Sequence, residues 1–266
     1  MNTHNICLRS VLAGLMLSIL TAQDPFVIDT SLSSSLPQSI ANSIEIADVD
    51  NDGYNDIIMS GYDSTRFGLF IDVIKVNSQG ALTSGFSTNF ITYSDTIAEF
   101  SGGLGNIDLS DVNLDGSIDI YLNGSARSEL LMNSSSGQFS ESNWLQNMFV
   151  IHSNGKWGDV NMDGKPDLFL MGVKEPADNI LNELYLNTGT FLDEDPTTIF
   201  PALFTGSSAW GDYDNDGDPD LIIGGQTANP NSSVTRLYQN DPIGRLTEVT
   251  TADAISGIKS GAFHFS

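Results

Sequence analysis

The sequence is short of several things, and each shortage excludes something. It has one cysteine in 266 residues, so no intrachain disulfide framework can form. It has 3 histidines and no His/Cys cluster, which leaves no zinc site of the common kinds. Lys and Arg number 10 against 34 Asp and Glu, a net charge of −24. A chain so poor in cations cannot replace phosphate counterions, so nucleic acid is excluded as a partner. The same balance disfavours an anionic membrane surface. The apolar run Val11–Leu20 is too short to span a bilayer, which takes about 20 apolar residues. No other stretch comes closer, so no transmembrane segment is expected. No stretch holds a 3.6-residue apolar period flanked by caps, so little helix is expected. No G-x-S-x-G, H-E-x-x-H or P-loop occurs.

What is present begins with a leader. Residues 1–22 read as a secretory signal: Arg9, then the apolar run, then the small-residue exit Thr21-Ala22. Cys7 precedes the run and leaves with it. The remaining 23–266 is expected outside the cell or at its surface, without cysteine, and held by packing or by metal.

Four segments of that remainder share the pattern D-x-[DN]-x-D-G-x-x-D. They run Asp48–Asp56, Asp111–Asp119, Asp159–Asp167 and Asp212–Asp220. Each is followed by an apolar run that ends in or next to glycine: IIMSG, IYLNG, LFLMG, LIIGG. The first aspartates are 63, 48 and 53 residues apart, which is a repeat with insertions. A short strand is expected before each loop, as at Trp157-Gly158 and Trp210-Gly211, and a second after it. A third is expected at Leu69–Val76, Glu129–Asn133, Glu183–Asn187 and Thr235–Asn240, and a fourth from Phe139, Phe191 or Leu246. The fold class is therefore all-β: a β-propeller of four-stranded blades, with about four to five blades present. A solenoid is the rival, but the unit is long for one. Pro25–Thr30 resembles a fourth strand, and Phe265-Ser266 occupies the place of Trp210-Gly211. The chain thus reads as incomplete at its C-terminus.

The loops have the chemistry of a hard-cation site. Ca2+ takes six to eight oxygens. Positions 1, 3, 5 and 9 supply carboxylate or amide oxygens: Asp48, Asp50, Asp52 and Asp56; Asp111, Asn113, Asp115 and Asp119; Asp159, Asn161, Asp163 and Asp167; Asp212, Asp214, Asp216 and Asp220. Position 7 is expected to supply a backbone carbonyl, from Tyr54, Ser117, Lys165 and Asp218. Glycine at position 6 permits the sharp turn. Loops two and three carry Asn at position 3, and their lower charge should mean weaker binding. EF-hands open alike but need Glu at position 12, where Met59, Leu122, Leu170 and Ile223 stand here. An ordinary Asx-rich turn would explain one such loop. It does not explain four copies with five fixed positions, and up to four Ca2+ sites are expected. Mg2+ suits an all-protein cage less well.

These loops, the WGD that precedes two of them and the LYxN third strand resemble the FG-GAP/VCBS repeats of integrin α-subunit propellers and of many secreted bacterial proteins. The match at Trp210–Gly225 with Arg236–Asn240 is close. The resemblance implies a propeller, usually of seven blades, with Ca2+ between the first two strands of several blades. Asn113 and Asn161 depart from the pattern within the family's tolerance. Four blades are too few for a seven-bladed ring, which again implies a truncated part of one. The function read from all this is a secreted Ca2+-binding propeller, a binding or adhesion module for protein or carbohydrate, and not an enzyme. The alternative is the propeller part of a secreted polysaccharide-degrading enzyme whose active site lies elsewhere.

Overall fold

The computed structural model describes residues 40–63, 68–92, 106–123, 128–145, 150–174, 179–227 and 232–250, all within one compact unit, Gln38–Ser266. The leader, the strand read at Pro25–Thr30 and the end at Phe265-Ser266 lie outside the described residues.

The described residues form sixteen strands and no helix. Blade one holds β1 (Ile40–Ala47), β2 (Asp56–Asp63), β3 (Gly68–Val76) and β4 (Leu82–Thr92). Blade two holds β5 (Asn106–Ser110), β6 (Asp119–Asn123), β7 (Glu129–Asn133) and β8 (Phe139–Glu141). Blade three holds β9 (Val150–Gly158), β10 (Asp167–Lys174), β11 (Asn179–Asn187) and β12 (Leu192–Asp195). Blade four holds β13 (Leu203–Gly211), β14 (Asp220–Thr227), β15 (Ser233–Gln239) and β16 (Thr247–Glu248). Each blade is one antiparallel sheet whose strands pair in chain order. This is the blade architecture of a propeller, and these four blades do not close it into a ring. The first strands run longer than the sequence suggested. β9 and β13 are nine residues long and end at Gly158 and Gly211, because their polar residues pair with an apolar second strand and need no apolar period of their own.

The second strands show why the blades stack. A strand buried on both faces reads as a continuous apolar run rather than an alternating one. In β10, Leu168 and Leu170 join a core with Val112, Tyr121 and Leu130 of blade two. The intervening Phe169 and Met171 join a core with Leu221, Ile223 and Tyr238 of blade four. A third core joins Val49, Ile58 and Ile71 of blade one to Ile107, Ile120 and Leu131 of blade two. Each blade thus covers its neighbour. Every loop lies between a first and a second strand; in loops one to three a valine at position 2 (Val49, Val112, Val160) inserts with no exposure, whereas loop four has the exposed Tyr213 there.

Candidate metal centres

The four loops share one internal scheme. The position-1 carboxylate accepts the N–H groups of positions 5 and 6. Asp48 takes Asp52 at 3.1 Å and Gly53 at 2.8 Å, and Asp111 takes Asp115 at 3.0 Å and Gly116 at 2.8 Å. Asp159 and Asp212 take the matching groups of their loops. The position-5 carboxylate accepts the N–H of position 7, as from Tyr54 to Asp52 and from Ser117 to Asp115, both at 2.9 Å. The turn needs two left-handed residues. Gly53, Gly116, Gly164 and Gly217 at position 6 have φ of +88°, +86°, +85° and +100°. Position 4 is left-handed as well, at Asn51, Leu114, Met162 and Asn215 with φ of 58°, 59°, 57° and 61°. The sequence reading missed this second requirement, although Asn at two of the four places was its signal.

The position-9 aspartates sit deepest. Asp56, Asp119, Asp167 and Asp220 show no exposure. One oxygen of each accepts the N–H of position 2, at 3.0 Å from both Val112 and Val160. The other accepts an N–H at the end of the third strand, at 2.8 Å from Asn133, Asn187 and Asn240 and at 2.9 Å from Val76. Each thereby ties three strands of its blade together. Burial raises all four above the usual carboxylate range despite these hydrogen bonds. Asp119 and Asp167 reach about 6.

The carboxylates converge, most clearly in loops one and four. Oxygens of Asp48, Asp50 and Asp56 lie within 4.8 Å of one another, as do those of Asp212, Asp214 and Asp216. Asp50 and Asp218 each keep a buried oxygen with no hydrogen-bond partner. Asp218 is 2% exposed. Burial, with the facing carboxylates Asp216 and Asp220, pushes it up to about 6. Orphaned, crowded anions inside an oxygen-only donor set suit a hard dication such as Ca2+ and do not suit Zn2+. Position 7 differs among the loops. Tyr54 is exposed, Ser117 and Asp218 are buried, and Lys165 turns its ammonium onto Asp163.

Outside the loops, the first strands meet from blade to blade. Lys156 of β9 pairs with Asp108 of β5 at 2.6 Å, and Asp108 also accepts the N–H of Trp157 at 2.8 Å. Trp210 of β13 donates its Nε1–H to the Lys156 carbonyl at 3.1 Å. Around them lies a cavity of about 620 Å3, lined by Asp108, Lys156, Trp157, Trp210, Leu114 and Pro166 among others. Nothing in the motifs pointed to Asp108 or Lys156. Trp157 and Trp210 also pack into the cores between blades.

A family model described as FG-GAP-like repeat matches residues 111–170 and 159–223. Each match starts at the first aspartate of a loop, so loops two to four fall inside them and loop one falls before. No curated protein is matched. Among solved structures, the chain is similar to a lectin of Agrocybe aegerita described as specifically recognising non-reducing terminal N-acetylglucosamine, at 15% identity and a TM-score of 0.51. The likeness covers 78% of this chain and 51% of that one, so the chain corresponds to about half of that structure. Among the described residues no helix is long and apolar enough to cross a membrane.

Proposed function

Residues 111–223 being FG-GAP-like repeats, we propose that the protein is a secreted binding module whose blades are rigidified by Ca2+. The observation that carries this is the crowding of carboxylates in a shared loop geometry, with the orphaned oxygen of Asp218 buried among acids. An ion there would be held by positions 1, 3, 5 and 9 and by the position-7 carbonyl. It would neutralise like charges that otherwise repel, and would fix the link between first and second strands. The chain's own residues already build the rest of that link through the position-9 aspartates.

The ligand we propose is carbohydrate, with protein as the alternative. Two indoles and an Asp–Lys pair on one concave wall combine apolar ring surface with fixed polar groups, the chemistry that recognises sugar rings. A lectin among the structures of similar fold agrees with this choice. The role is binding, not catalysis. The test is a glycan-binding screen on the full chain with Ca2+ and with EGTA, repeated with Trp210→Ala. Calcium-dependent glycan binding that the substitution abolishes supports the reading. A chain that melts at one temperature with and without Ca2+, and binds no glycan, contradicts it.

A further inference from the structure

The four loops do not meet an incoming cation on equal terms. The reason lies in the third strand, at the residue before the one that donates its N–H to the position-9 aspartate. That residue is Lys75, Met132, Leu186 and Gln239 in blades one to four. In blade one, Lys75 Nζ lies 2.9 Å from Asp50 Oδ2 at position 3 of the loop. In blade four, Gln239 Nε2 donates to Asp214 Oδ2, also at position 3, at 2.6 Å. Where position 3 is an amide, the partner is apolar. Asn113 and Asn161 then turn their oxygens back onto the position-5 N–H of their own loops, at 3.0 and 3.1 Å. A donor thus accompanies the extra carboxylate and is missing where the carboxylate is missing.

The two donors differ in charge. Lys75 brings a full positive charge into loop one. It is also wedged against blade two, donating to the Ser136 carbonyl at 2.9 Å. Gly137 leaves room for it, since a Cβ there would come within 3.0 Å of the ammonium. Loop three has its own cation, Lys165, on Asp163. In loop four, no ammonium pairs with Asp212, Asp214, Asp216, Asp218 or Asp220 among the described residues, and Gln239 is neutral. Loop four also places a fifth carboxylate, Asp218, at the position where the sequence pattern calls only for a backbone carbonyl. Its unpartnered oxygen is buried against the other acids.

We infer that loop four is the tightest divalent-cation site of the chain, with Asp218 as an added anionic determinant, and that loop one carries a tethered counter-ion, Lys75, whose positive charge on Asp50 weakens that loop's hold on an ion. This rests on the cation reading of the loops given above. Net charge at the ligands sets affinity for a hard dication. Equal carboxylate counts at positions 1, 3, 5 and 9 therefore conceal unequal sites.

Calcium isotherms of the full chain test it, measured by calorimetry for the wild type, Asp218→Asn, Lys75→Met and Asp50→Asn/Lys75→Met. Asp218→Asn is expected to weaken the tightest class about tenfold and leave the others. Its melting temperature in EGTA should not fall, since it removes a repulsive charge. Lys75→Met, which copies Met132, is expected to tighten one weaker site about tenfold, and the gain should vanish in the double variant, which lacks the Asp50 carboxylate. If the tightest class ignores Asp218→Asn, or Lys75→Met tightens nothing, or its gain survives in the double variant, the inference is wrong. A wild type that takes up no calcium overturns the cation reading and this inference with it. Calcium uptake that neither variant alters overturns this inference alone.

Discussion

Asn187 of blade three donates its side-chain N–H to the carbonyl of Val112, in the loop of blade two, at 2.8 Å. Asn133 and Asn240 make the same bond to Val49 and Val160 of the blades before them, each at 2.7 Å. One residue thus locks a third strand to the preceding blade's loop. Blade one has Val76 at this place, and it can make no such bond. Asn187 is 3% exposed, and its oxygen accepts the Gly189 N–H at 2.8 Å. Asn187→Ala leaves several polar groups unpaired, with an expected loss of about 2–3 kcal/mol. Denaturant unfolding against the wild type measures it.

Met162 points to a gain. It is a left-handed non-glycine at φ 57° and is 50% exposed. Loops one and four carry Asn in its place. Left-handed backbone costs a side chain such as Met about 1 kcal/mol more than it costs Asn or Gly. Met162→Asn is expected to raise stability by about 0.5–1 kcal/mol without altering calcium uptake. A chemical melt in EGTA reads the first effect and an isotherm the second.

Gly158 and Trp210 define a fit between blades. A Cβ on Gly158 would lie 2.7 Å from the Trp210 ring, so the glycine after one blade's tryptophan receives the indole of the next. Gly158→Ala is expected to cost about 1–3 kcal/mol by overpacking. It should also shift tryptophan emission to the red as the indole moves outward. Unchanged emission and stability would contradict the contact.

The pH response should change sign with calcium. Asp119 and Asp167 stand at about 6 in the fold, against about 4 in an unfolded chain. The folded state therefore binds more protons than the unfolded one between those values. Stability of the ion-free protein is favoured below pH 4 and lost as pH rises through 6. In EGTA the melting temperature should be higher at pH 5 than at pH 7. With millimolar Ca2+ the order should invert, because protons compete with the ion for the same carboxylates.

The blade order, the loops and most third strands were legible in the sequence because each depends on local chemistry: Asp and Gly at fixed offsets, then an apolar run. The Asn at the end of the third strand was visible too, yet it reads locally as a turn residue. Its partner, the Val112 carbonyl, lies 75 residues away, and no local pattern encodes that distance. Lys75 was hidden for a similar reason. Its bond to Asp50 follows from strand register, not from the loop motif. Blade one's fourth strand, Leu82–Thr92, was unplaced because its Ser/Thr-rich residues carry no apolar alternation. The cavity residues Asp108 and Lys156 come together only when two first strands meet.

Whether the four loops are cation sites is read most directly from the number of calcium ions bound per chain. Equilibrium dialysis of the full chain into defined free Ca2+, followed by elemental analysis, gives that number. Up to four ions are expected, with at least one lost in Asp212→Asn/Asp214→Asn. A chain that holds no calcium at millimolar free ion, with its strands intact by circular dichroism, contradicts the account.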